Sequence, residues 1–255
     1  MLYLIGLGLS SGDIPNRAIE ICKKAEAYFD NYTSFVDDAY LSYLQSAIGK
    51  KIAPLDRKSM EDDASAIIRM AKTRDIAVMV AGDPLVATTH KILFIEAKKA
   101  NVSVQVVHAS SIVPTLMGES GLDFYRFGPV CSIPKWLENY KPVSFYETIR
   151  RNVANNLHSI VLLDYESAKK TSIDLHEALA VLEEAENQYA DGIITDDTRM
   201  FVMYRLGSDK QQKHLTTMKK AMAMELPGGP AAIIIPAKLS EIEEEVVESM
   251  YPSQG

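Results

Sequence analysis

Gly82-Asp-Pro-Leu-Val-Ala-Thr-Thr-His90, GDPLVATTH, follows directly on the apolar run Ile76–Ala81, IAVMVA, and its reading decides the fold. Six apolar residues without polar alternation predict a strand covered on both faces, as in a parallel sheet. The strand ends at a glycine, which lets the chain turn sharply or pass close to a ligand with no Cβ in the way. Asp83 can cap exposed amide donors, and Pro84 suits a first helical turn because its missing N–H would be unpaired there. The stretch therefore predicts a strand, a bare turn and a positively polarised helix start, the place where α/β proteins bind small polar ligands. A plain strand-to-helix turn is the alternative, and the residues do not name a ligand.

Outward from this point the chain alternates strand and helix. Leu2–Leu9 reads as a strand, Pro15–Ala27 as a helix, Tyr28–Tyr32 as a strand, Tyr40–Ile48 as a helix and Lys51–Ala53 as a short strand-like segment. Helix Ser59–Lys72, strand Ile76–Ala81, helix Ala87–Lys99 and strand Val102–Val107 follow. This rhythm predicts residues 1–110 as an α/β domain with a mainly parallel sheet. From 111 to 255 the rhythm breaks. Ile112–Gly118 reads as a helix or turn, prolines punctuate Pro129–Pro142, and Phe145–Leu157 and Asp174–Ala185 read as helices. Strands at Ser159–Leu163, Gly192–Thr195, Met200–Leu206 and Ala231–Pro236 predict a mixed-sheet α+β domain, and Ser240 with Glu243 has capping-box spacing.

The chain has 255 residues, 47% of them apolar and 24% charged, enough for one large or two smaller domains. A net charge of −7 argues against general nucleic-acid affinity, which rewards clustered Lys and Arg. The opening apolar run stops after about nine residues, with no basic lead-in, and reads as a first strand of a cytoplasmic protein rather than a membrane span or secretory leader. Cys22 and Cys131 form no CxxC pair, and none of His90, His108, His158, His176 and His214 has metal-ligand spacing, so no metal is expected.

Four further motifs carry two readings each. GLGLSSG, Gly6–Gly12, with Asp30 downstream, reads as a dinucleotide loop or as a glycine-rich first loop. HASSI, His108–Ile112, ends a strand with small hydroxyl residues and is a turn with a cap or a second ligand loop beside GDPLVATTH. TDDT, Thr195–Thr198, offers two carboxylates for metal or acid–base chemistry, or a turn. Arg205, Lys210, Lys213, His214, Lys219 and Lys220 form a docking patch or a solvated helix face.

Taken together, GLGL, GDPLVATTH, HASSI, TDDT and the final PAAIIIPAKL, Pro230–Leu239, closely resemble the diphthamide-biosynthesis branch of the tetrapyrrole methylase superfamily, over nearly the whole chain. The resemblance implies two α/β domains with a ligand cleft between them, a homodimer, and S-adenosylmethionine as methyl donor, with S-adenosylhomocysteine as product. The implied partner is translation elongation factor 2, whose 3-amino-3-carboxypropyl histidine is methylated repeatedly on its amino group, to the trimethylammonium stage in the archaeal type. No membrane and no direct nucleic-acid contact is implied. Carried over by position, the donor site comprises Leu9, Asp83, Val86, Ser111, Ile112, Leu163, Leu206 and Ala231. At Ala231 several family members have histidine instead. No catalytic residue is named: the leaving sulfur departs neutral and alignment supplies much of the rate, while Asp83, another carboxylate and water all stand as acceptors for the amine proton. Tyr125, Phe127 and Trp136 are aromatic candidates for the cationic product. The competing activities are methylation of a tetrapyrrole ring and, from GLGLSSG with Asp30, nicotinamide-dependent oxidoreduction.

Overall fold

The computed structural model describes residues 1–31, 36, 38–55, 64–166, 171–226 and 228–252. The described residues divide into two compact units, Met1–Ile112 and Val113–Glu166 with Thr171 onward. The first contains β1 (Leu2–Gly6), α1 (Asn16–Lys24), β2 (Glu26–Asp30), α2 (Asp38–Ile48), β3 (Ala53–Leu55), α3 (Ala64–Ala71), β4 (Ile76–Val80), α4 (Ile92–Lys99) and β5 (Val104–Val107). These strands form a parallel sheet in the order β3-β2-β4-β1-β5. All five residues of β4 are buried, as an unalternated apolar strand between two helical layers requires. The two faces separate by strand parity. Leu2, Leu4, Val78 and Val80 pack with Ile67, Ile68, Leu93 and Ala97 of α3 and α4. Ile5, Ala77 and Met79 pack with Ala18, Cys22, Tyr40 and Leu44 of α1 and α2.

The second unit contains α5 (Ile112–Ser120, whose first residue belongs to the first unit), β6 (Cys131–Ile133), α6 (Ser144–Ala154), β7 (Ser159–Leu163), the pair β8 (Tyr165–Glu166) and β9 (Thr171–Ser172), α7 (Leu175–Tyr189), β10 (Arg199–Tyr204), β11 (Gln212–Thr217), α8 (Met218–Ala221), β12 (Ala231–Ile235) and α9 (Glu241–Met250). Its five-stranded sheet runs β11-β10-β12-β7-β6, antiparallel except for β6 with β7. The expected α/β class, with a parallel and a mixed sheet, is what the chain adopts. No helix among the described residues is long and apolar enough to cross a membrane.

Several expected elements are corrected by local hydrogen bonding. The helix expected from Pro15 to Ala27 stops at Lys24, because Ala25 is extended and the Lys50 ammonium takes the carbonyl oxygens of Lys23 and Ala25. β2 accordingly begins at Glu26, and Tyr32 of the expected strand lies outside the described residues. Residues 59–63 of the helix expected over Ser59–Lys72 also lie outside them. Gly192–Thr195 is no strand: the Glu186 carboxylate accepts from the backbone N–H groups of Gly192, Ile193 and Ile194, which a sheet ladder would otherwise need. The basic cluster from Arg205 to Lys220 is no helix face, since Lys213 and His214 lie on β11 and Lys219 and Lys220 on α8. TDDT is a turn, with Thr198 N–H bonded to Thr195 O at 3.0 Å.

The capping box is present, and it does more than cap. Glu243 accepts from Ser240 N–H and Oγ–H at 2.8 and 3.0 Å, and from Asp123 N–H at 3.0 Å. The Arg126 guanidinium and His158 Nε2, the latter at 2.9 Å, also face it. His158 Nδ1 accepts from Ala237 N–H, so the ring is the neutral Nε2–H tautomer. Burial works to raise the Glu243 pKa, but its hydrogen bonds overcome that and hold it at about 2. Burial lowers the His158 pKa against the pull of Glu243. Both groups have folded values below their unfolded ones, so each contributes stability that is lost as pH falls. His158 acts below its ordinary value near 6.5, and Glu243 acts from about 4.5 down to about 2. Urea unfolding at pH 7 should show Glu243→Gln less stable by about 3 kcal/mol, with the gap closing as both proteins are acidified toward pH 2.

Candidate functional site

In the first unit, β4, β1 and β5 lie side by side, so the loops that follow them emerge together at the carboxyl end of the sheet. Gly8 and Gly82 then pair reciprocally. Gly8 N–H donates to Gly82 O at 3.1 Å, and Gly82 N–H donates to Gly8 O at 2.8 Å. Both glycines have positive φ, +73° and +68°, which a side chain would make costly. Among the described residues, space beside Gly82 is open, since a Cβ there would meet only Ser110 O at 3.9 Å. Gly6 is the reverse case: a Cβ would sit 2.9 Å from Ala109 N and Gly82 O, so the loops after β4 and β5 close over a residue that must lack one.

Two carboxylates tie the loops. Asp13 Oδ2 accepts from Leu9 N–H at 2.9 Å, Ser10 N–H at 3.3 Å and Ser110 Oγ–H at 2.8 Å, joining the β1 loop to the β5 loop. Asp83, 6% exposed, accepts from Leu85 N–H at 2.9 Å through Oδ1, while its Oδ2 lies 2.7 Å from His108 Nδ1. That contact joins the β4 loop to the β5 loop. The helix expected to open at Asp83–Pro84 does not form. The Asp83–Leu85 turn, the Thr88 hydroxyl on Pro84 O and a left-handed Ala87 (φ +54°) hold residues 83–91 in turns, and α4 begins at Ile92. The start of α4 is therefore set back from Gly82, and fixed backbone groups and carboxylates give the β4 loop its polar character.

The expected donor residues fall into two sets by unit. Leu9, Asp83, Val86, Ser111 and Ile112 all lie just past β1, β4 and β5. Ser111 is buried and Val86 is exposed. In the second unit, antiparallel register gathers the rest. Ala232 pairs with Leu162 and Tyr204 with Ala231, so the end of β7 at Leu163, the start of β12 at Ala231 and the turn after β10 at Leu206 share one sheet end. Arg205 N–H bonds Pro230 O at 2.9 Å and fixes that turn, with Arg205 itself at φ +47°.

Of the aromatic candidates, only Trp136 shares that end, because β6 is parallel to β7 and stops opposite Leu163. Its indole N–H donates to Pro142 O, and the Lys141 ammonium sits 5.4 Å from its ring centre, so a cation already occupies that face. Phe127 packs edge-on against His158, and Tyr125 lies in the 3-10 turn Phe124–Arg126, before β6. Cys22 and Cys131 are buried free thiols pushed up to about 12 by burial, which rules them out as thiolate nucleophiles. Among the described residues no His, Cys, Asp and Glu group could hold a metal ion.

Comparison with known proteins decides between the readings. Residues 1–221 match the family model of tetrapyrrole (corrin/porphyrin) methylases. The diphthine synthase of Methanocaldococcus jannaschii is 37% identical over 252 residues, 97% of this chain and 98% of that protein. The chain belongs to the diphthine synthase branch of the tetrapyrrole methylase family. An Arabidopsis thaliana protein provisionally named a diphthine methyl ester synthase is 34% identical over 97% of both chains. A crystal structure from Entamoeba histolytica, provisionally assigned as a diphthine synthase, superposes with a TM-score of 0.88 at 31% identity, covering 98% of each chain.

Family membership makes the chain a methyltransferase and overturns the nicotinamide alternative, and the geometry shows why its motif misled. Gly6 and Gly8 serve the packing of the chain on itself. Asp30, the expected ribose-binding acid, is fully buried with its carboxylate 3.0 Å from His90 Nε2. Asp13, which the sequence reading passed over, had one visible signal: an acidic residue just past a glycine-rich strand end, where amides need an acceptor. Replacing Gly6 by Ala should cost about 1–3 kcal/mol in urea unfolding, from overpacking against two backbones. Gly12→Ala, with nothing among the described residues within 4 Å of a new Cβ, should stay within about 0.5 kcal/mol of the parent.

Proposed function

We propose that this chain transfers methyl groups from S-adenosylmethionine to the amino group of the 3-amino-3-carboxypropyl histidine of translation elongation factor 2. The observation that carries this is the gathering of the expected donor residues, distant in sequence, at one end of each sheet. Leu9, Asp83, Val86, Ser111 and Ile112 would hold the donor in the first unit, and Leu163, Leu206 and Ala231 in the second. Their chemistry fits: leucines and isoleucine suit adenine and the carbons flanking a sulfonium, while strand-end backbone groups read polar edges. The open space beside Gly82, which a Cβ would enter, fits a ligand lying against main chain. Ala231 stands where several family members have histidine, and its backbone, paired with Tyr204, keeps the main-chain contact.

When bound, the donor supplies an electrophilic methyl and a leaving group that departs neutral, so no general acid is required. The chain's own residues align and hold. Asp13 and Asp83 fix the three loops, and the Gly8–Gly82 pair sets their spacing, which is where an alignment-driven displacement gains its rate. A homodimer and a cytoplasmic setting go with this reading.

The experiment is mass spectrometry of the histidine peptide from elongation factor 2 carrying the 3-amino-3-carboxypropyl group, after incubation with the chain and S-adenosylmethionine. Successive gains of one methylene, up to three, are the expected result, with unmodified factor and a porphyrinoid left untouched. Methylation of the porphyrinoid instead would transfer the assignment to the ring-modifying branch.

A further inference from the structure

Repeated methylation of an amine poses a problem that alignment does not solve: an ammonium has no lone pair, and a proton must leave before each transfer. Four carboxylate or imidazole groups stand in the loops after β1, β4 and β5: Asp13, Asp83, His90 and His108. Asp13 is committed to two amides and a hydroxyl. His90 is buried completely, against Asp30. Asp83 is nearly buried, with one oxygen on Leu85 N–H and the other on His108. His108 differs from all three. Its side chain is 67% exposed while its Nδ1 lies 2.7 Å from the Asp83 carboxylate.

That arrangement selects the tautomer of the neutral ring. A carboxylate only accepts, so Nδ1 carries the hydrogen toward Asp83, and Nε2 is left as the basic nitrogen. The same carboxylate stabilises the imidazolium that forms when Nε2 takes a proton. The contact is built into the fold. His108 is the first residue past β5 and Asp83 the third past β4, and they meet across the end of β1 because Gly6 has no side chain to hold their loops apart.

We propose that His108, oriented by Asp83, is the group that takes the proton from the substrate amine in each round of methylation. The inference rests on the function proposed above. In each round an N–H bond of the ammonium breaks, its electron pair stays on nitrogen, and the proton passes to Nε2. The amine then forms an N–C bond to the methyl of the sulfonium donor as the C–S bond breaks and its pair goes to sulfur. The exposed imidazolium returns its proton to water and is ready again. The methylated product is once more an ammonium with an N–H, until the trimethylated nitrogen has none left, and the cycle ends there.

His108→Asn tests this in the intact chain, because an Asn amide keeps a donor for Asp83 and has no basic nitrogen to take a proton. Turnover on the modified elongation factor should fall about 100-fold or more. Calorimetric affinity for S-adenosylhomocysteine should stay within about two-fold, and long-range 1H–15N spectra of histidine-labelled protein should show the Nδ1–H tautomer at His108, lost in Asp83→Ala, which removes the acceptor. Turnover within about three-fold of the parent, a wild-type Nε2–H tautomer, or loss of S-adenosylhomocysteine binding together with turnover would each overturn the proposal. A parent chain that binds donor but methylates nothing would bring down the functional reading itself. A parent that methylates while His108→Asn does so equally well would overturn only the role of His108.

Discussion

The reciprocal backbone pair between Gly8 and Gly82 is the constraint on which the site depends. Two amides and two carbonyls that could have faced solvent or ligand are spent on each other, one step beyond the sheet. The β1 and β4 loops therefore leave at a fixed separation, and both residues need positive φ to make the turn. Everything else in the first unit follows from that spacing. Asp13 spans from the β1 loop to Ser110, Asp83 spans from the β4 loop to His108, and the bare α-carbon of Gly6 lies beneath the closure. Asp13 and Asp83 thus tie the three loops to one another through named partners.

The second unit reaches a similar end by a different route. Its sheet is mostly antiparallel, so the residues that gather at one end come from a strand's finish, another's start and a turn. Register does the placing there, backed by the Arg205–Pro230 bond at the turn. At the far end of β7, the Glu243 cluster joins α9, the Phe124–Arg126 turn and His158. The unit thus places the Glu243 cluster at the sheet end opposite Leu163, Leu206 and Ala231.

Much of this was legible in the residues. Ile76–Ala81 without alternation gave a doubly covered strand, Ser159–Leu163 and Ala231–Pro236 gave strands within a residue or so, and Ser240 with Glu243 gave the cap. The expected donor residues also fell at or near strand ends. What stayed hidden was set by contacts distant in sequence. Lys50 stops α1 from 26 positions beyond its end, Glu186 diverts Gly192–Ile194 from strand to loop, and Asp83 engages His108 from 25 positions away. Asp83–Pro84 carried a local signal for a helix start, but hydrogen bonds inside the loop outweighed it and delayed the helix to Ile92. The glycines of GLGLSSG were read for ligand approach, whereas Gly6 and Gly8 serve the chain's approach to itself.

A crystal structure of the chain grown with S-adenosylhomocysteine tests the central claim most directly. The account predicts the ligand against the main chain at Gly82 and Ser111, with the Gly8–Gly82 pair intact beneath it and Asp83 still facing His108. A ligand seated away from both loops, or a Gly8–Gly82 pair opened so that its amides bind the ligand, would contradict it.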